Sequence, residues 1–193
     1  MRRLPIVLVF LVAVTALGAC GGSSSSTSSH GNATTTAPEL FSSKSYEKAK
    51  PNPSISAKMI CQKEARADIA SGVGIAATRV TQPTWNRAQH LYACNYVYPN
   101  GKIALSVKEM SSASETTAYF NGIIKKYGTI QPLIGLGQGA WVLKNSDVVV
   151  RKDYKVLLVD ISKLPPRFGT PPDTRANIAL NVAATIMGCW TGA

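Results

Sequence analysis

From Lys102 to Met110 the chain alternates apolar Ile103, Leu105 and Val107 with Lys102, Ala104, Ser106 and Lys108. A period of two is the mark of a half-buried strand. The preceding stretch, His90 to Tyr98, is rich in Tyr and Val, and Pro99-Asn100-Gly101 separates the two runs. Asn-Gly accepts the positive φ values of a tight turn, so this region predicts a β-hairpin. Upstream, Cys61, Ala65 and Ile69 recur at helical spacing and predict a helix over 56–71, closed by Gly72-Val73-Gly74. Residues 75–89, with Pro83 and Trp85, read as a loop or short irregular structure.

Downstream, Ser112-Ala113-Ser114-Glu115 is a capping-box pattern. The helix it opens carries Thr116, Tyr119, Phe120, Ile123, Ile124 and Tyr127 on one stripe and stops at Gly128. Three strands are expected at 140–144, 147–152 and 155–161, with turns at Asn145-Ser146 and Asp153-Tyr154. Thr170-Pro171-Pro172-Asp173 supplies a cap, a first-turn proline and an acid for a last helix. Its stripe is Ile178, Val182 and Ile186, ending by Cys189-Trp190. The order α-ββ-α-βββ-α, with tight turns between strands, predicts an α+β fold: an antiparallel sheet of about five strands with helices packed on one face.

No such pattern exists before residue 54. Residues 21–36 are almost entirely Ser, Thr and Gly, a composition with nothing to bury. The stretch 21–52 has a root-mean-square reach of roughly 30 Å as a flexible coil. Ahead of it stand Arg2 and Arg3, a mostly apolar run from Leu4 to Leu17, and Gly18-Ala19-Cys20. A basic start, a short apolar segment and small residues before a cut site predict a secretory signal peptide. The apolar run is 14 residues, short of the roughly 20 needed to span a bilayer core. Leu17-Gly18-Ala19-Cys20 resembles the lipobox of bacterial lipoproteins. That resemblance implies removal of 1–19 and a diacylglyceryl group on Cys20, whose two chains suffice for stable anchoring. The expected organisation is a cleaved signal at 1–19, a lipidated Cys20 with its linker over 20–53, and one α+β domain over 54–193.

Cleavage would lower the net charge from +11 to +9, and region 54–193 holds about +8, from 16 Lys or Arg and 8 Asp or Glu. For an exported domain the matching anions are lipid headgroups, acidic glycans or an acidic protein rather than nucleic acid. The basic doublets Lys125-Lys126 and Arg151-Lys152 read either as a solvated helix end and hairpin tip or as contacts to such an anion. Export permits disulfides. With Cys20 acylated, Cys61, Cys94 and Cys189 remain. Pairing Cys61 with Cys94 would staple the first helix to the first strand; Cys61–Cys189, joining first and last helices, is the rival.

Within 54–193 catalytic signatures are absent: no Gly-x-Ser-x-Gly, Ser-x-x-Lys or His-Glu-x-x-His, and no zinc spacing. The glycine-rich Gly135-Leu136-Gly137-Gln138-Gly139 runs into an expected strand, Trp141-Val142-Leu143, where a phosphate loop requires a helix. His90 is the one histidine of the domain, and Cys94 on the same strand lies too far from it for a hydrogen bond, about 13 Å. Tyr92, Tyr96 and Tyr98 share the face of Cys94, as core or as the wall of a pocket. No catalytic residue, cofactor or metal site is expected.

Helix with Cys61, the strand from His90 to Tyr96 with Cys94, and Ile134-Gly135-Leu136-Gly137 ahead of Ala140 together resemble the actinobacterial, mycobacterial-type lipoproteins of unknown function. The same segments are similar to extracytoplasmic sensor domains of receptor kinases. The resemblance spans roughly 56–188. It implies an α+β domain with a cysteine pair and brings no catalytic residues; Cys189 departs from its one-disulfide pattern. The expected function is a membrane-anchored binding or sensor-like module, on the extracytoplasmic face, for an amphiphile, a glycan or a partner protein. The alternative is an envelope hydrolase or transferase assembled around His90.

Overall fold

The computed structural model describes residues 47–190, which belong to one compact unit. The expected signal peptide, Cys20 and most of the Ser/Thr-rich linker lie outside the described residues. No helix among those described is long and apolar enough to cross a membrane.

Two short helices, α1 (Ile55–Met59) and α2 (Lys63–Val73), stand where one helix over 56–71 was expected. The break at Ile60–Gln62 has a tertiary cause. Ile60 gives its carbonyl to the Tyr96 hydroxyl at 2.7 Å, and Cys61 is bonded to Cys94. Those ties hold the corner against the sheet, where a continuous helix would turn both residues differently.

The hairpin forms where its pattern predicts, with β3 (Leu91–Tyr98) and β4 (Gly101–Glu109) joined across Pro99-Asn100, but neither Asn100 nor Gly101 takes the positive φ expected of the turn. Residues 75–89 are not all loop: β1 (Arg79–Val80) and β2 (Thr84–Asn86) both pair with β3, one after the other along its outer edge. From β4 the chain crosses through α3 (Ala113–Tyr127) to the far edge. It then returns by the meander β5 (Thr129–Pro132), β6 (Gly139–Leu143), β7 (Val148–Lys152) and β8 (Lys155–Asp160). The antiparallel β8–β4 pairing closes one sheet of eight strands, ordered β1-β3-β4-β8-β7-β6-β5 with β2 beside β1 on β3. Five strands was an undercount. A small ladder of β9 (Arg167–Phe168) and β10 (Asp173–Thr174) precedes α4 (Arg175–Trp190). The last helix thus starts later than expected; the Thr174 hydroxyl, not Thr170, accepts from Asn177 N–H at its first turn.

The fold is α+β, but its helices do not share one face. On one face α1, α2 and α4 bury Ile60, Ile69, Ile178, Val182 and Ile186 against Tyr96, Leu105, Leu157 and Val159. On the other, α3 buries Phe120 and Ile123 against Leu143, Val149 and Val156. Alternation decides which residues go where. Val148 and Val150 look to the first core and Val149 to the second. Strand β7 therefore reads as a continuous valine run, as a strand covered on both faces should. The stripe on α3 announced an apolar helix face, but nothing in it says which side of the sheet it will cover.

A half-covered sheet face as the candidate functional site

Helix α3 covers β6, β7 and β8 and leaves the outer face of β3 and β4 open. There Leu91, Ala93, Asn95 and Val97 of β3, and Ala104 and Ser106 of β4, are only half-buried. Period two explains the sequence: inward Tyr92, Cys94, Tyr96 and Tyr98 are core, and the outward residues Leu91, Ala93, Asn95 and Val97 are half-buried. The same rule places Lys102, Ala104, Ser106 and Lys108 on this face. The result is a trough floored by the sheet, with α3 as one wall.

Under that wall lies a groove of about 320 Å³ lined by Tyr119, Gly122, Ile123, Lys126, Tyr127 and Leu158. Its lining is mostly apolar or aromatic, with Lys126 its one basic residue. Lys108 Nζ sits 5.7 Å from the Tyr119 ring and Lys126 Nζ 4.8 Å from the Tyr127 ring. These ammonium groups screen aromatic faces that would otherwise meet water. Lys108 also donates to the Gln89 carbonyl. Burial raises the Tyr119 hydroxyl above its ordinary pKa, with Tyr127 raising it further and Lys126 opposing. Gly122 carries no side chain into the groove and has open space where a Cβ would stand.

At the other end of the trough is a second groove of about 360 Å³, lined by Arg79, Thr81, Asn95, Val97, Gly101, Lys102 and Lys163. Register builds it. Arg79 is paired with Val97, and Val97 with Lys102, so the two cations flank one valine in a single row. Lys163 comes from the loop after β8. A Cβ on Gly101 would stand 2.4 Å from the Lys163 carbonyl, so glycine at the hairpin turn is what lets that loop lie alongside. Among the described residues the sole ion pair is Lys50–Glu47, so none of these three cations has a carboxylate partner. The nearest acid by register is Asp160, across from Ala104; its carboxylate accepts Ser162 N–H at 2.9 Å.

The other residues singled out from the sequence sit elsewhere. Cys61 and Cys94 are joined, 2.16 Å between sulfurs, inside the helical core. Cys189 Sγ lies 3.9 Å from Asp68 Oδ2, away from that pair. Tyr92, Tyr96 and Tyr98 are buried; Tyr98 stacks edge-on to Phe168 at 4.8 Å, and burial pushes its hydroxyl up to about 12. His90 has φ 47° just ahead of β3. Its Nδ1 is 3.0 Å from the Lys50 carbonyl oxygen and its ring packs edge-on to Trp85 at 5.8 Å. No carboxylate is within ion-pair distance of it among the described residues.

The doublet Arg151-Lys152 is split by strand alternation. Arg151 turns to α3, where it lies 5.6 Å over the Phe120 ring and donates to the Thr117 hydroxyl at 2.6 Å. Lys152 turns the other way and donates to the Trp190 carbonyl at the end of α4, at 2.9 Å. Both are structural. The glycine-rich stretch forms the loop between β5 and β6. A Cβ on Gly137 (φ 63°) would stand 2.6 Å from the Arg151 carbonyl, so glycine there permits the close approach of loop to strand. This loop, with Ala184, Met187 and Lys152, borders a further open groove of about 450 Å³.

No protein-family model, curated protein or solved structure matches the chain. Arg79, Thr81 and Lys163 escaped the sequence reading. Alternation had put Lys102, Ala104, Ser106 and Lys108 on one face, but Arg79 opens a two-residue strand with no pattern of its own and Thr81 follows it.

Proposed function

We propose that this protein is a cell-envelope binding module for an anionic amphiphile, held near its membrane by a lipidated Cys20. The observation that carries the reading is the half-covered sheet face: an apolar groove under α3 and a cation-lined groove by β1 share one open floor. By strand spacing of about 4.8 Å and a rise of about 3.3 Å per residue, the grooves are separated by on the order of 10–15 Å. That separation suits one molecule with its apolar part at Tyr119, Ile123 and Leu158 and its anionic part at Arg79, Lys102 and Lys163. Arg79, Lys102 and Lys163 are exposed and have no carboxylate partner among the described residues, which leaves them available to an incoming anion. The lipobox-like Leu17-Gly18-Ala19-Cys20 would place such a ligand within reach, and the resemblance to sensor-like lipoprotein domains agrees with a binding role.

The test is binding of dihexanoyl phosphatidic acid to the full chain, as the cell processes it, in phosphatidylcholine nanodiscs. Ala104→Trp, which fills the floor between the two grooves, is expected to weaken binding by about tenfold, equivalent to about 1.4 kcal/mol. Unchanged affinity would remove the trough as the site.

A further inference from the structure

Resting on that amphiphile reading, we infer that the cationic end of the trough is a phosphate-monoester site built by Arg79, Lys102, Lys163, Thr81 and Asn95. Three cations, all exposed, line one groove of about 360 Å³. A single carboxylate would leave two of those charges unmet, whereas a phosphate monoester brings close to two negative charges and three acceptor oxygens. Arg79 supplies the planar fork that matches two of the oxygens, and the lysines supply point charges from the facing strand and loop.

The polar pair completes the donor set. The Thr81 hydroxyl accepts Asn95 N–H at 3.0 Å, so its oxygen is held in place and its own proton remains free to donate outward. Asn95 is half-buried on the trough floor, paired with Ala104 and among the residues lining the groove. Val97, between Arg79 and Lys102 in their row, is apolar and cannot compete for either cation. The backbone itself keeps the site open: Gly101 lets the 163–164 loop close in and bring Lys163 beside Lys102. Three of the 16 Lys or Arg of region 54–193 thus stand where strand register, a turn glycine and a hydroxyl all favour one tetrahedral anion.

The phosphate can belong to a lipid headgroup or be free, and the experiment separates the two. The full chain in phosphatidylcholine nanodiscs is titrated with inorganic phosphate, dihexanoyl phosphatidic acid and octyl glucoside. Two variants are compared with the wild type: Arg79→Gln with Lys102→Gln and Lys163→Gln, and a control of equal charge, Lys48→Gln with Lys58→Gln and Lys63→Gln, all three exposed. The site variant is expected to bind both phosphate titrants more weakly by about tenfold or more, as loss of charge-assisted hydrogen bonds requires, with octyl glucoside and the control variant unaffected. Phosphatidic acid binding well above inorganic phosphate identifies a headgroup site. Equal binding of the two upholds the phosphate site and defeats the amphiphile reading. Phosphatidic acid binding that survives in the site variant, or equal losses in both variants, overturns the phosphate site.

Discussion

The Tyr96 hydroxyl donates to the Ile60 carbonyl at 2.7 Å, one residue before Cys61, which is bonded to Cys94 two places before Tyr96. One covalent and one polar tie therefore fix the α1–α2 corner to the same face of β3. Cys94 Sγ also lies 3.7 Å from that carbonyl oxygen. Burial first, and Tyr98 to a lesser degree, raise the Tyr96 pKa well above its ordinary value, with Arg66 opposing. The hydroxyl is thus a neutral donor at any ordinary pH. Tyr96→Phe is expected to cost about 1–3 kcal/mol in urea unfolding, because a buried carbonyl loses its main donor. A change below a few tenths would mean the corner is held without it.

The disulfide closes a separation of 33 residues. Replacing Cys61 and Cys94 together by alanine is expected to cost about 3–4 kcal/mol in the chain-entropy account. Wild-type and double-variant midpoints should converge when the wild type is unfolded under reducing conditions. If they already coincide without reductant, the bond contributes nothing to stability.

Asp147 sits buried between Asn145 and the start of the loop after β8, accepting Ile161 N–H at 2.9 Å and Asn145 Nδ2 at 2.6 Å. Desolvation lifts its pKa from 3.8 to about 6, Asp160 adds to the rise, and the two hydrogen bonds and Arg175 oppose it. Between those values the folded state holds a proton that the unfolded chain has released, so stability contributed here falls as pH rises from about 4 to about 6. Asp147→Asn removes that slope. The difference in unfolding free energy between wild type and variant should change across this window and be flat above it; a difference independent of pH would contradict the assignment.

Arg151 spends its charge on α3 rather than on a ligand. Arg151→Ala is expected to destabilise the domain by about 1–2 kcal/mol, through the lost Thr117 bond and the lost contact with Phe120. Phosphatidic acid affinity should be unchanged. A variant that folds with full stability but loses affinity would move this residue into the binding site.

Local signals survived folding where pattern and turn agreed. The turn at Pro99-Asn100 and the alternation on either side of it specify the β3–β4 hairpin. The Ser112 cap is present too: its hydroxyl accepts Glu115 N–H at 3.2 Å, while the Glu115 carboxylate reaches Ser111 N–H at 2.9 Å. What escaped was set by partners distant in sequence. The break at Ile60–Gln62 is imposed by β3, and β1 and β2 exist because β3 offers them an edge. The stripe on α3 fixes a buried face but not the side of the sheet it meets. The same limit governs the trough. Lys102 and Ala104 were legible as neighbours on one face, whereas Arg79 and Lys163 join them only through register and a loop contact.

The most direct measurement of the central claim is a map of amide chemical-shift changes when dihexanoyl phosphatidic acid is added to the full chain in phosphatidylcholine nanodiscs. Binding in the trough predicts changes concentrated at Thr81, Asn95, Lys102, Ala104, Ser106, Tyr119 and Gly122, with the helical face around Ile69 and Val182 silent. Changes centred on Leu136, Gln138 and Met187 instead, or none at all, would contradict it.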